Sequence, residues 1–147
     1  MSAPLTQLVA SGSPRSAQFK GYWERLMDTL DASGHEVFSA HRREAWGTRL
    51  DPPESALAAD LGGLRWCEIV IAYVGNPFSP GVQLELGYSL ALGRRLIVFI
   101  DEGQAEPYLM RGLPAVADAE LVEIADIREI GAALVSKRIA SAEPEDA

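Results

Sequence analysis

Cysteine is nearly absent. Cys67 stands alone, so no intrachain disulfide can form. Histidine is scarce as well, with only His35 and His41, which excludes a zinc cluster built on Cys and His. Long apolar runs are missing. The longest, 69–74 and 96–100, fall far short of the roughly 20 residues of a membrane-spanning helix. Residues 1–7 have neither a basic start nor an apolar stretch, so no signal peptide is expected, and the setting expected is cytoplasmic and reducing. Basic residues are the minority: 13 Lys and Arg stand against 21 Asp and Glu, a net charge of −8. A non-specific grip on a nucleic-acid polymer needs a basic footprint, so that function class is set aside. A small anionic ligand is not, because one or two local arginines suffice to hold it.

What is present is a chain able to fold. Of 147 residues, 48% are hydrophobic and 23% charged, which supports one packed domain over 1–147 with a frayed tail at 141–147. Strand-like and helix-like segments alternate. Residues 5–10 form a short apolar run that ends at Ser11-Gly12-Ser13-Pro14. Phe19, Tyr22, Trp23, Leu26 and Leu30 then recur at helical spacing, and Gly34 closes that helix. Val37-Phe38 reads as a second strand, followed by a polar loop at 41–51 and a helix with Leu57, Leu61 and Leu64. Strands follow at 69–74, 96–100 and 121–124, with helices at 81–92 and around Ile127, Ile130 and Leu134. A short helix is expected near 108–111. Apolar runs without in/out alternation are the mark of strands buried on both faces. The fold class expected is therefore α/β: a doubly wound three-layer sandwich on a five-stranded parallel sheet, Rossmann- or flavodoxin-like. Ligands in such folds bind at the carboxyl ends of the strands.

Two loops at that edge are suited to an anion. After the first strand, Gly12 permits close backbone approach, Ser13 offers a hydroxyl, and Arg15 begins the next helix. The same residues also make an ordinary turn and N-cap with a solvated arginine, and there is neither a GxGxxG nor a P-loop lysine. After the third strand, Ser79 is a good N-cap, Pro80 a good first helical residue, and Gly81 exposes the helix start. Glu85 shares a helical face with Val82, Leu86 and Ser89. It either complements the helix dipole or serves chemistry. Asp60 stands on the preceding helix, where a solvated flank is the default. Two carboxylates near one anion site would suit glycosyl chemistry, one attacking an anomeric carbon and one managing a proton. Cys67 reads as a core thiol rather than a nucleophile.

The order and spacing of Gly12-Ser13-Pro14-Arg15, Asp60-Leu61, Ser79-Pro80-Gly81-Val82 and Glu85-Leu86-Gly87 resemble the nucleoside 2-deoxyribosyltransferase superfamily. The likeness extends over about residues 7–138. Arg15 and Ser79 look like the branch that hydrolyses nucleoside 5′-monophosphates. The segment 40–47, Ala-His-Arg-Arg-Glu-Ala-Trp-Gly, is similar to the cytidylate and hydroxymethylcytidylate N-glycosidases of nucleoside-antibiotic pathways. The resemblance implies that Glu85 is the nucleophile that forms a glycosyl ester at C1′. It implies that Asp60 is the second acid, and that Ser13, Arg15, Ser79 and Gly81 cradle the 5′-phosphate. His41 then falls near the sugar-facing loop, with Arg43 a weaker candidate there. The reaction implied is release of a free pyrimidine base and ribose 5-phosphate from CMP or 5-hydroxymethyl-CMP, without metal or organic cofactor, by a homodimer. Two rivals are a transferase that passes the sugar to a second base and a non-catalytic nucleotide-binding module. The chain has Val9 where deoxynucleotide members carry Tyr, and Pro14 where the hydroxymethylcytidylate enzymes carry Phe.

Overall fold

The computed structural model describes residues 14–75, 79–104 and 108–140, with side chains from residue 18 onward. Helix α1, Pro14–Ala32, buries Phe19, Trp23, Leu26, Met27 and Leu30 and leaves Gln18, Arg25 and Asp28 in solvent. That spacing is the one-sided stripe the sequence pattern predicts. Gly34, at φ +88°, ends the helix in the left-handed conformation, and the His35 N–H donates back to the Leu30 carbonyl at 3.1 Å. Short α2, Ala40–Arg43, and a 3-10 turn, Ala45–Gly47, follow. Then come α3 (Pro53–Trp66), β1 (Ile69–Val74), α4 (Pro80–Ala91), β2 (Arg95–Asp101), a 3-10 helix (Tyr108–Gly112), α5 (Leu113–Val116), β3 (Ala119–Ile124) and α6 (Glu129–Ser136).

The sheet is parallel, in the order β1-β2-β3, with Ile71 opposite Ile97 and Val98 opposite Leu121. Both faces are apolar. Ile71, Ile97, Phe99 and Ile124 pack with Trp23, Met27, Ile130 and Leu134, so α1 and α6 cover one face. Val70, Ala72, Val74, Leu96, Val98 and Ile100 pack with Leu64, Val82 and Leu86, so α3 and α4 cover the other. The three-layer α/β arrangement thus holds.

The strand count does not. Among the described residues the sheet has three strands rather than five. The first expected strand, 5–10, lies outside the described residues. The second, Val37-Phe38, is not a strand. The backbone of His35 is used to close α1 and Ser39 is the N-cap of α2, which leaves only 36–38 between two helix ends. Val37 packs on the core without a ladder. Beside it, a cavity of about 430 Å³ opens between 35–38 and the amino-terminal end of β1, lined by Leu64, Ile69 and Ile139 among others. That is the end of the sheet opposite the strand carboxyl termini. The polar loop at 41–51 is also partly helical, through α2 and the 3-10 turn. None of the described helices is long and apolar enough to cross a membrane.

Candidate active site

The three strands end together at Val74, Asp101 and Ile124, so the loops that follow them share one edge. Several polar side chains tie that edge together. The Tyr73 hydroxyl donates to Asp101 Oδ1 at 2.8 Å. Gln104, buried, donates through Nε2 to the Gly75 carbonyl at 3.3 Å and accepts from the Asp101 N–H at 3.3 Å. Arg111 pairs with Glu123 at 2.8 Å and also donates to the Gln104 carbonyl. Sequence reading passed over Tyr73, Asp101 and Gln104. The available signal was a carboxylate, Asp101, closing an apolar run at the ligand edge.

Ser79 caps α4 in extended geometry, and its Oγ accepts the Gly81 N–H at 3.2 Å. Pro80 gives up no hydrogen bond in the first turn. Glu85 lies on the second turn of α4, partly buried, and its carbonyl accepts from Ser89 Oγ at 2.7 Å. Helices α3 and α4 are pinned together nearer their carboxyl ends. Arg65 Nε donates to the Tyr88 hydroxyl at 2.7 Å and its guanidinium lies 5.5 Å from the Tyr88 ring centroid. Asp60 stands five residues before Arg65, and Glu85 three before Tyr88.

Asp60 is partly buried. Burial raises its pKa, and the charge and hydrogen bond of Arg43 oppose the rise. Arg43 Nη2 lies 3.3 Å from Asp60 Oδ1 and 2.9 Å from Glu44 Oε1, and Nη1 pairs with Asp51. The two terminal nitrogens of the guanidinium thus meet three carboxylates, Asp60 among them.

His41 is 2% exposed, with its ring edge-on to Trp46 at 4.9 Å between centroids. Burial lowers its pKa to about 4, so the imidazole is neutral at physiological pH. Both ring nitrogens, Ser39 Oγ and Arg43 Nε are buried and have no hydrogen-bond partner among the described residues. Such groups cost about 1–3 kcal/mol each when left unmet, so they cluster where a ligand or water supplies the partner. Just beyond Glu44, Ala45, Trp46 and Gly47 all have positive φ, at 47°, 56° and 81°. Two of them bear side chains that pay for this conformation, a form of strain concentrated at functional sites.

Gly12 and Ser13 lie outside the described residues, as does the side chain of Arg15, whose backbone belongs to the first turn of α1. Cys67 packs against the α3–α4 face, and burial raises its thiol pKa. Among the described residues, no group of three or more His, Cys, Asp and Glu side chains is placed to hold a metal ion.

No family model matches the sequence, and no curated protein matches it. Solved structures do. The CMP N-glycosidase BcmB of Clostridium botulinum superposes with a TM-score of 0.73 at 26% identity, over 85% of this chain and 95% of that one. The solution structure of BlsM superposes with a TM-score of 0.65 at 31% identity, over 91% of this chain and 87% of that one. The 31% identity to BlsM over most of both chains, joined to the motif order above, shows that the chain belongs to the nucleoside 2-deoxyribosyltransferase superfamily.

Proposed function

We propose that the protein hydrolyses the N-glycosidic bond of a pyrimidine nucleoside 5′-monophosphate, CMP or 5-hydroxymethyl-CMP. The observation that carries this reading is the likeness over most of both chains to a CMP N-glycosidase. Asp60 and Glu85 stand on the adjoining helices α3 and α4, each within five residues of the Arg65–Tyr88 contact that joins them, which supports the reading. In this reading Glu85 attacks C1′ and the C1′–N bond breaks through an oxocarbenium-like state. Asp60, whose pKa is raised by burial, gives a proton to the departing base. Water then attacks the glycosyl ester, releasing ribose 5-phosphate and restoring the Glu85 carboxylate. The phosphate is held by Ser13, Arg15, Ser79 and the Gly81 N–H, with Gly12 allowing close approach, and neutral His41 faces the sugar. No metal or organic cofactor enters these steps.

A homodimer belongs to the same reading. Large apolar side chains exposed on α3, α4, α5 and the preceding 3-10 helix support it, among them Leu57, Leu84, Tyr108, Leu109 and Val116, while α1 and α6 expose none among the described residues.

The test is incubation with a panel of ribo- and deoxyribonucleoside monophosphates, following free base. The expected result is cytosine-type base release from the ribonucleotide, lost in Glu85→Ala while nucleotide affinity persists. Turnover surviving in Glu85→Ala removes the nucleophile assignment. Sugar transfer to an added acceptor base, in place of hydrolysis, makes the protein a transferase.

A further inference from the structure

We propose that Arg43 is the positioning residue for Asp60: its guanidinium brackets the carboxylate between α3 and the loop after α2, instead of reaching the substrate. The role given to Asp60 rests on the function proposed above.

Three observations carry this. First, both terminal nitrogens are taken. One guanidinium nitrogen serves Asp60 at 3.3 Å and Glu44 at 2.9 Å, and the other serves Asp51. Second, the pairs are sheltered. The side chains of Arg43, Asp60 and Glu44 are 20%, 18% and 12% exposed, which removes most of the solvent screening that makes surface pairs weak. Third, the partners come from three places in the chain: α2 with its C-cap, the loop before α3, and the middle of α3. Arg49 adds a tether by donating to the Arg43 carbonyl at 3.3 Å. A planar fork held in this way fixes both the position and the direction of the carboxylate it meets.

The bracket also sets charge. Arg43 joins Asp60 to Glu44 and Asp51, and Arg49 donates to the Arg43 carbonyl. One guanidinium faces three carboxylates, so the cluster carries surplus negative charge. Burial raises the Asp60 pKa and the charge and hydrogen bond of Arg43 oppose the rise, so the Arg43 contact governs how firmly Asp60 holds a proton. Glu44 and Asp51 share the guanidinium with Asp60.

The experiment titrates Asp60 by carboxyl 13C NMR, assigned with Asp60→Asn, in wild type, Arg43→Gln and Arg43→Lys. Base release is followed against pH on the same samples. In Arg43→Gln the Asp60 midpoint is expected to rise by about one pH unit or more. The kcat for base release is expected to fall about tenfold to a hundredfold, with KM within about threefold. Arg43→Lys is expected to return most of the midpoint but only part of kcat, because lysine keeps the charge and loses the fork. An unmoved Asp60 midpoint in folded Arg43→Gln overturns the proposal. So does a KM effect larger than the kcat effect, which would make Arg43 a substrate contact. If Arg43→Gln does not fold, Asp51→Asn substitutes, and removing that rival carboxylate must lower the Asp60 midpoint. If wild type releases no base, the functional reading fails, and the titration still decides whether Arg43 governs Asp60.

Discussion

His41 shows how much one buried residue can weigh. Its ring is sheltered and its pKa is lowered by burial to about 4, against 6.5 unfolded. Between those values the unfolded chain binds a proton that the folded chain refuses, so stability rises with pH there and is lost as pH falls. The linkage amounts to about 2 kcal/mol between pH 7.5 and pH 5. Urea unfolding of wild type and His41→Asn at both pH values should show that extra acid sensitivity in wild type only. Equal pH dependence in the two proteins would mean that His41 titrates normally. Gly47 governs the same loop from the backbone. At φ +81° it takes a conformation that costs an L-residue about 1–2 kcal/mol, so Gly47→Ala should lower stability by that amount in the same assay.

Helix α4 serves the site through its first turn. Ser79 gives the cap, and a hydroxyl-less replacement tests two roles at once. Ser79→Ala should cost about 1 kcal/mol of stability and Ser79→Gly only a few tenths, since glycine is itself a fair cap. Both remove the hydroxyl proposed for the phosphate, so both should raise KM for CMP alike. KM that follows stability instead would assign Ser79 to the cap alone. Helix α3 is set by a close approach: a Cβ on Gly63 would lie 2.4 Å from the Phe38 ring. Gly63→Ala must push α3 or the ring aside, and a loss of about 1–3 kcal/mol is expected on thermal or urea unfolding. Because α3 carries Asp60, base release should drop with it.

Across the whole molecule the two helical layers differ in what they show to solvent. α1 and α6 expose no large apolar side chain, whereas the opposite layer exposes Leu84 at 54% and Leu109 at 84%. The exposed residues of α4, among them Gln83, Leu84, Gly87 and Leu90, include no charge. A chain of net charge −8 meets least self-repulsion through such a face. Sedimentation should find a dimer in wild type and a monomer in Leu84→Glu; a monomeric wild type would remove the dimer from the proposal. On the proposed function, the same net charge makes a phosphate cradle necessary, since a nucleotide is an anion approaching an anionic protein. Wild type should favour CMP over cytidine in kcat/KM by orders of magnitude, and Arg15→Ala should erode that preference by acting on CMP alone. Equal values for the two substrates in wild type would mean that the cradle is misread.

Features that depend on neighbours along the chain follow from the residue order alone. The stripe from Phe19 to Leu30, the glycine stop at Gly34, the Ser79-Pro80 helix start and the doubly buried apolar strands are all local patterns, and the structure repeats them. The order of the family's short motifs is local in the same sense, and it was legible without coordinates. Tertiary structure decided the rest. Val37-Phe38 has strand composition, but the ends of two helices take up the backbone on either side of it. Leu57 has the spacing of a core residue and is 44% exposed, because α3 turns only its later residues, such as Leu64, fully onto the sheet. Arg43 is one more charge in a polar loop until folding brings Asp51 and Asp60, 8 and 17 residues away, to its two amino groups. A charged side chain's role is set by the partners that share its shelter from water, and those partners are chosen by the packing of helices on the sheet rather than by adjacency in the chain.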